Sequence, residues 1–342
     1  MKTKKISRYA VIVFVVLILF GAFIWAIFNL LDFSSKVKEV QFGVTFSHKY
    51  AAENLKLDWQ KVYLAILDDL GVKNIRLVSP WDWVEQNKDS YDFSDLDWLL
   101  DEADKRDVNI ILSIGRRTPR WPECHDPLWL NVLSKSEQNK KLLALIERSV
   151  ARFKNHKSVK MWQVENEPFL EFFGKCPKPD KELVVEEVKL VKFLDDRPVL
   201  VTDTGELSNW QTAGSLSDVL GVTMYKTVWN DFMGIWRYSW PPAYYYYKAQ
   251  NIKNHYPKVN QVIVSELQAE PWSANGANIT LFSIKDQFKL FSPGDFQRNL
   301  EYVKKAGFPQ AYLWGVEWWY WLKFEKNKPE FWDIAKEIWQ NE

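Results

Sequence analysis

The chain has 342 residues, which is enough for one large domain with a substantial hydrophobic core. Its formal net charge is +1, and Lys and Arg are interspersed with Asp and Glu, so the sequence does not indicate a basic face for nucleic acid. There are 19 Trp, 14 Tyr and 21 Phe. Most of these are expected in the core, and the others suit stacking against flat ligands. The four His and two Cys form no zinc-binding pattern, so we predict no metal site and no cofactor.

The N-terminal region has the pattern of a membrane anchor. Residues 10–31 contain no charged residue, and a helix of that length spans roughly 33 Å, enough to cross the hydrocarbon core of a bilayer. The apolar stretch is longer than that of most cleaved signal peptides, and no A-x-A cleavage pattern follows it. We therefore predict a single N-terminal transmembrane helix at 10–31, with basic residues 1–9 in the cytoplasm, a linker at 32–38 and an extracytoplasmic domain at 39–342. The alternative is a long signal peptide, which would leave the same domain outside but unattached.

Strand and helix signals alternate through the rest of the chain. Short apolar runs rich in β-branched residues predict strands, and segments with apolar residues at helical spacing predict helices between them. Eight such units indicate an α/β fold of the parallel (β/α)8 TIM barrel type. An open, doubly wound sheet would need a glycine-rich turn after its first strand, and residues 46–49 contain no glycine. The predicted strands are 40–46, 73–78, 108–114, 159–167, 197–203, 218–225, 261–266 and 310–314, and the predicted helices are 58–70, 94–106, 136–153, 180–193, 211–217, 240–255, 292–306 and 329–340.

Two glutamates stand at predicted strand ends on opposite sides of this barrel. Glu167 ends the fourth strand, where Pro168 prevents its continuation, and Glu266 ends the seventh. Functional residues of TIM barrels lie at the C-terminal ends of the strands, so we expect the two carboxylates to face each other across the barrel mouth. Cleavage of a glycosidic bond uses such a pair: one acid protonates the leaving oxygen, and one carboxylate attacks the sugar or stabilises an oxocarbenium-like transition state.

The motifs around these glutamates resemble those of the large clan of (β/α)8 retaining glycoside hydrolases that includes the cellulase-like families. In that clan an Asn-Glu pair, often followed by Pro, ends strand four and carries the acid/base, and a Glu that ends strand seven is the nucleophile. Asn166-Glu167-Pro168 and Ser265-Glu266-Leu267 match the two sites. The resemblance implies that Glu167 is the acid/base and Glu266 the nucleophile, and that Asn166 forms a hydrogen bond with the sugar 2-hydroxyl. The clan often has Gly soon after the nucleophile, and this chain does not, so Glu270 is a rival to Glu266.

Further substrate-binding residues follow from the same resemblance. Arg76, inside strand two, resembles the arginine that orients the nucleophile, although it also suits a structural ion pair. Tyr225 after strand six resembles the tyrosine that contacts the nucleophile, and Trp314 after strand eight resembles the tryptophan floor of the first subsite. Either aromatic residue is equally suited to the core. His48 after strand one is a candidate substrate contact or a hydrogen-bonded loop residue.

These features predict a retaining glycoside hydrolase that cleaves β-glycosidic bonds in an oligo- or polysaccharide by double displacement. The predicted partners are a carbohydrate substrate and a membrane, bound through the N-terminal helix, and the protein is expected to be a monomer that does not bind nucleic acid. One alternative is a non-catalytic, membrane-anchored glycan-binding barrel, although a binding module has no need of two catalytic carboxylates. Another is a barrel with a purely structural role.

The two cysteines follow neighbouring predicted strands. Cys124 lies after the third strand and Cys176 after the fourth, so their loops are expected to be adjacent. Outside the cytosol, a disulfide between them and two free thiols are both compatible with the sequence.

Overall fold

The computed structural model describes residues 8–230, 234–272 and 277–340. Ten strands are present in the described part of the chain, and eight of them form the barrel. They are β1 Gln41–Phe46, β2 Asn74–Val78, β3 Asn109–Ile114, β4 Val159–Val164, β5 Val199–Asp203, β6 Val219–Met224, β7 Thr227–Asn230, β8 Gly234–Arg237, β9 Gln261–Gln268 and β10 Gln310–Trp314.

The barrel is a closed, all-parallel sheet. Its strands run in the order β1-β10-β9-β6-β5-β4-β3-β2, and β2 pairs with β1 to close the ring. The predicted (β/α)8 TIM barrel is therefore confirmed, with β9 and β10 as its seventh and eighth strands. Strands β7 and β8 form a separate antiparallel hairpin between β6 and the next helix, which the sequence analysis did not predict.

Helices cover the outside of the barrel and lie between its strands. Two of them end in a turn of π-helix, Ile66–Leu70 after α3 and Trp321–Glu325 after α12. A short helix, α10, occupies part of the long segment after the seventh barrel strand, where no helix was predicted. The helices are α1 Arg8–Leu30, α2 His48–Glu53, α3 Trp59–Ala65, α4 Trp81–Val84, α5 Ser94–Lys105, α6 Lys135–Phe153, α7 Lys181–Leu194, α8 Gln211–Gly214, α9 Pro242–His255, α10 Ile284–Leu290, α11 Pro293–Lys305, α12 Val316–Tyr320 and α13 Glu330–Gln340.

The two strands that lead to the predicted catalytic glutamates end at different places from those expected. Strand β4 stops at Val164, because Glu165 and Glu167 both adopt a left-handed backbone conformation, with φ of 58° and 45°, that cannot continue a strand. Strand β9 instead runs two residues past Glu266, because Leu267 and Gln268 still pair with β10. Glu167 therefore lies in a turn beyond β4, and Glu266 lies within β9.

The core has an inner and an outer part. The outer part packs the helices against the strands, as expected for parallel strands that are buried on both faces. The inner part consists only of strand residues, which fill the barrel interior as a packed layer rather than a pore. Its buried members are Ile111, Leu200, Val219, Ile263 and Tyr312.

The N-terminal helix stands apart from the barrel core. Its segment Ala10–Leu30 is long and apolar enough to cross a membrane, with a mean hydropathy of 3.1, and none of its most apolar window is buried against the protein. The helix ends at Leu30, and Phe33 then stacks on Tyr246 of α9 with ring centroids 3.8 Å apart. The Phe33 amide also donates to the Lys305 carbonyl at the end of α11 (2.9 Å). The apolar helix is thus joined to the barrel by a short, packed segment.

Candidate active site

A cavity of about 690 Å³ opens beyond the C-terminal ends of the barrel strands. Glu167 and Glu266 both line it, and so do Tyr225 and Trp314. A second cavity of about 390 Å³ lies against the linker and the start of β1, at the other end of the barrel, and contains none of the predicted site residues. The larger cavity is therefore the candidate active site.

Glu266 is held by two groups from different strands. One carboxylate oxygen, Oε1, accepts a hydrogen bond from Arg76 Nη1 (2.9 Å), and the other, Oε2, accepts one from the Tyr225 hydroxyl (2.9 Å). Arg76 lies in β2 and is completely buried, and Tyr225 directly follows β6. An ion pair and a hydroxyl therefore fix the orientation of this carboxylate from two sides.

Glu167 has a different environment in the same cavity. Its backbone amide donates to Thr202 Oγ1 in β5 (2.8 Å), which holds the turn in place. The pKa of Glu167 is raised well above its usual value, first by burial and then by the nearby negative charges of Glu266 and Glu123. Burial is therefore a larger cause of this shift than repulsion by Glu266.

Asn166 connects the two sides of the site from behind the cavity wall. Its Oδ1 accepts from Arg76 Nη2 (2.6 Å), and its Nδ2 donates to Glu123 Oε2 (2.9 Å). Arg76 also donates to Gln163 Oε1 (2.6 Å) and to Thr45 Oγ1 (3.5 Å), so it is bonded to four side chains that converge below the cavity. The amide of Asn166, expected to bind a sugar hydroxyl, is bonded to Glu123 here and does not line the cavity.

Glu123 was not predicted as a site residue, and it is the third carboxylate near the two predicted ones. Burial and the charge of Glu266 raise the pKa of Glu123 to about 7, against the opposing effect of Arg117. It belongs to the loop after β3, and the neighbouring Cys124 forms a disulfide with Cys176 in the loop after β4. The adjacency to a cysteine was the only sequence signal for this position.

Trp314 forms one side of a buried ionic cluster. The guanidinium of Arg120 lies 4.3 Å from the Trp314 ring centroid and 4.0 Å from that of Tyr50. Arg120 also forms ion pairs with Glu270 and Glu317. Glu270, the rival to Glu266, therefore lies beyond the end of β9 and is neutralised by an arginine that the sequence analysis did not identify.

His48 is not brought to the cavity. It is buried between Trp59 and Trp83, with ring centroids 5.6 and 5.0 Å away, and it is absent from the cavity lining. Burial lowers the pKa of His48 to about 3. His48 begins α2 rather than lying in a loop, and its buried Nδ1 has no hydrogen-bond partner among the described residues, so its packing is that of a core residue.

Glu206 is a second buried carboxylate that the sequence analysis missed. It accepts from the backbone amide of Tyr225 (2.6 Å), from the hydroxyl of Tyr245 (2.9 Å) and from Thr223 Oγ1 (3.0 Å). These bonds place Glu206 directly behind the tyrosine that contacts Glu266. Nothing in its local sequence distinguishes it from an ordinary loop glutamate.

One group of possible metal ligands occurs in the described part of the chain, outside the cavity. Ligand atoms of Asp101, Asp104 and His156 lie within 4.8 Å of one another near the end of α5. Asp104 is already hydrogen bonded to the Ser158 amide (2.7 Å) and to His156 (2.9 Å). We assign no metal to these residues.

Comparison with known proteins identifies the family of this barrel. A sequence model described as "Glycosyl hydrolases family 2, TIM barrel domain" matches residues 86–266, slightly more than half of the chain. The chain belongs to this family. The match includes Glu167 and Glu266. No curated protein matches the chain.

Several solved structures share the fold of this family 2 barrel. Xylanase 10B from Thermotoga maritima superposes with a TM-score of 0.57 at 15% identity, over 90% of this chain and 98% of that one. The β-galactosidase from Halorubrum lacusprofundi superposes with a TM-score of 0.52 at 14% identity, over 80% of this chain and 52% of that one. The β-galactosidase from Bacillus circulans sp. alkalophilus superposes with a TM-score of 0.51 at 12% identity, over 84% of this chain and 51% of that one. The chain spans about half the length, or less, of the β-galactosidases and β-glucuronidase that it matches.

Proposed function

We propose that this protein is a retaining glycosidase that cleaves β-glycosidic bonds in an oligo- or polysaccharide, with Glu266 as the nucleophile and Glu167 as the acid/base. The observation that carries the proposal is the contrast between two glutamates in one cavity. Glu266 is bonded to Arg76 and Tyr225, whereas burial and nearby negative charges favour the protonated form of Glu167. Two carboxyl groups with different environments can divide the roles of nucleophile and acid.

The proposed reaction has two steps. In the first, a Glu266 oxygen attacks the anomeric carbon, the glycosidic C–O bond breaks, and Glu167 gives its proton to the leaving oxygen. In the second, Glu167 takes a proton from water, the water oxygen attacks the anomeric carbon, and the bond to Glu266 breaks. Arg76 and Tyr225 hold Glu266 in position throughout, and they stabilise the free carboxylate that the second step restores.

Family and cavity shape support a carbohydrate substrate. Aromatic side chains line the cavity beside the acids, and such rings stack well on the apolar faces of sugars. The matched enzymes are named for β-galactosides and xylan, and this supports the β-linkage. We also propose that the N-terminal helix anchors the barrel on the extracytoplasmic side of a membrane, as the positive residues before it predict.

The test is a chemical rescue of the nucleophile. We would assay the detergent-solubilised full chain against aryl β-glycosides and β-glucans, with Glu266→Ala in parallel. The variant should lose activity, and azide should restore it by forming a glycosyl azide of inverted anomeric configuration. The matched control is Glu171→Ala, which removes an exposed glutamate near the cavity and should behave as the wild type.

Two results would contradict the proposal. Azide rescue of Glu270→Ala, but not of Glu266→Ala, would transfer the nucleophile role to the rival glutamate. A wild-type chain that binds glycans but hydrolyses none of them would favour the non-catalytic binding barrel.

A further inference from the structure

The cavity contains a carboxylate that the two-step reaction does not use. Glu123 is only 3% exposed and lines the cavity together with Glu167 and Glu266. It is connected to Glu266 by an unbroken series of hydrogen bonds through Arg76 and Asn166, with donor–acceptor distances of 2.9, 2.6 and 2.9 Å. Glu123 therefore lies in the same cavity as Glu266 and is close enough to be affected by its charge.

The carboxylate of Glu123 has few partners within the protein. Among the described residues, only Asn166 donates a hydrogen bond to it, although a carboxylate offers about four acceptor positions. Arg117 lies nearby, but its Nε is 3.7 Å from Glu123 Oε2, and its two terminal nitrogens donate to the carbonyls of Leu170 and Phe173 at 2.8 and 2.9 Å. Buried polar groups are normally hydrogen bonded, so the remaining capacity of Glu123 suits donors supplied by a ligand.

The loop that carries Glu123 is fixed on several sides. The Thr118 amide donates to the Glu123 carbonyl (2.9 Å), and the Glu123 amide donates to the Arg120 carbonyl (2.8 Å). The disulfide at Cys124 ties the loop to the next one, where Gly174 packs so closely that an added Cβ would lie 2.8 Å from Glu123 Cβ. A residue whose backbone is held this firmly can select ligands, because the loop cannot move aside for a poor fit.

The charges around the cavity oppose a negatively charged sugar. Five glutamates line the described part of the cavity, and the one cation among the described lining residues is Arg120. Arg120 is already paired with Glu270 and Glu317, so no described lining cation remains for a sugar carboxylate. The lining glutamates are Glu123, Glu167, Glu206, Glu266 and Glu270.

We propose that Glu123 is a specificity-determining residue that accepts hydrogen bonds from hydroxyl or ammonium groups of the sugar next to Glu266, so that the site selects neutral or amino sugars and rejects sugar acids. This inference rests on the proposed glycosidase function. Sugars of either favoured class supply O–H or N–H donors to the free acceptor positions. A uronic acid would instead place a further negative charge close to Glu123 and Glu266.

The experiment compares substrates that share one aryl leaving group and differ only in the sugar. They are the β-glucoside and β-galactoside, the corresponding 2-amino-2-deoxy glycosides, and the corresponding uronides, all assayed with the full chain. The wild type should cleave at least one neutral or amino glycoside, and its kcat/KM for that substrate should exceed that for the matched uronide by at least 100-fold. The preference between hydroxyl and amino substrates shows which donor Glu123 binds.

Two substitutions distinguish the effect of the charge of Glu123 from the effect of its side-chain length. Glu123→Gln removes the charge. It should raise KM for the best substrate by roughly 10- to 100-fold, the range that a hydrogen bond to a charged group contributes. It should also reduce the ratio of kcat/KM between that substrate and the matched uronide. Glu123→Asp keeps the charge but shortens the side chain, so KM should rise while uronides stay rejected. Glu171→Gln, which removes an exposed charge near the cavity, is the control and should change neither quantity.

A second readout excludes a merely structural role. Because Glu123 helps to raise the pKa of Glu167, Glu123→Gln should also move the basic limb of the kcat/KM–pH profile to lower pH. A wild type that prefers uronides, or a Glu123→Gln enzyme with unchanged KM and unchanged discrimination, would overturn this inference and leave the glycosidase proposal standing. A wild type that cleaves none of the substrates would overturn both.

Discussion

At the scale of single residues, the turn after β4 shows how the backbone directs neighbouring side chains to different places. Glu165 and Glu167 are both left-handed, a conformation that costs a non-glycine residue roughly 1 kcal/mol or more. Glu165 accepts hydrogen bonds from the Arg116 and Arg117 amides (both 2.7 Å), which offset part of that cost. The result is that Asn166 points back to Arg76, while Glu167 reaches the cavity.

The raised pKa of Glu167 leads to a prediction about pH. The protonated form is the proposed acid, so kcat/KM should fall as pH rises through this elevated pKa. Glu167→Gln should abolish that basic limb and lower the rate by roughly 10²- to 10⁴-fold for poor leaving groups, but much less for activated aryl groups that need no protonation. The check is a pH profile with two leaving groups; equal losses on both would contradict the acid/base role.

The buried pair of Arg76 and Glu266 leads to a prediction about stability. Arg76→Leu leaves Glu266 buried without its ion pair, which should lower the free energy of unfolding by about 3–5 kcal/mol. Adding Glu266→Leu removes the stranded charge, so the double variant should lose less than the sum of the two single variants. Urea unfolding of the detergent-solubilised chain measures all three.

A surface ion pair provides the control for this cycle. Arg152 on α6 pairs with Asp97 on α5 at 2.7 Å, and the Arg152 side chain is 55% exposed. Arg152→Leu should therefore change stability little. Strict additivity of the Arg76 and Glu266 substitutions would mean that the buried pair has no coupling energy.

At the scale of elements, the loops after β3 and β4 act as one unit because the disulfide joins them. Cys124 and Cys176 are 52 residues apart in sequence, and the loops that they connect supply Arg120, Glu123 and Glu167 to the cavity. One covalent link thus joins the two neighbouring barrel loops that carry three charged residues of the candidate site.

Replacing both cysteines by serine tests the role of this link. The chain closed by the disulfide is long, so Cys124→Ser with Cys176→Ser should lower the free energy of unfolding by roughly 2–4 kcal/mol, and KM should rise as Glu123 loses its fixed position. Reduction of the wild type with dithiothreitol should give the same two changes, which mass spectrometry of alkylated thiols can follow. Lower stability with unchanged KM would show that backbone hydrogen bonds alone hold the loop.

The elements also show what the sequence can and cannot predict. The eight barrel strands are predictable because parallel strands buried on both faces appear as continuous apolar runs. The hairpin of β7 and β8 lacks that signal, since Ile235 and Trp236 are largely exposed, and α10 is a seven-residue helix inside a long loop. The local sequence pattern predicts an element when burial in the core requires apolar residues at regular spacing. It does not predict an element that is stabilised only by contacts with distant parts of the chain.

The same contrast applies to the candidate site. Glu167 and Glu266 stand beside strands, so their places follow from the strand order. Glu123 and Arg120 owe their positions to a loop with left-handed residues and a disulfide, and neither feature can be derived from spacing. Whether a cavity glutamate pairs with a cation from a neighbouring loop, as Glu270 does with Arg120, is decided by side-chain packing alone.

At the scale of the whole molecule, the barrel is layered along its axis. Apolar strand residues fill the interior. Toward the C-terminal ends of the strands, the next layer contains Arg76 and the side chains hydrogen bonded to it, and the cavity opens beyond that layer. The apolar layer excludes water from one side of the buried charges, so each charge interacts more strongly with its neighbours than it would in solvent. Burial above this layer is the largest cause of the raised pKa values of Glu167 and Glu123.

The N-terminal helix leads to the last prediction, which concerns the location of the whole molecule. Ala10–Leu30 is continuous and apolar, so we expect the full chain to sediment with membranes and to resist extraction with alkaline carbonate. Val16→Asp with Leu19→Asp places two charges near the helix centre, each costing about 2.5–3.5 kcal/mol on insertion, and should release the chain. The matched control, Val16→Ala with Leu19→Ala, should remain in the membrane.

Protease added to intact cells should digest the wild-type barrel, because the basic N-terminus is expected to stay in the cytoplasm. A soluble wild-type protein whose mass lacks the first helix would instead identify that helix as a cleaved signal peptide.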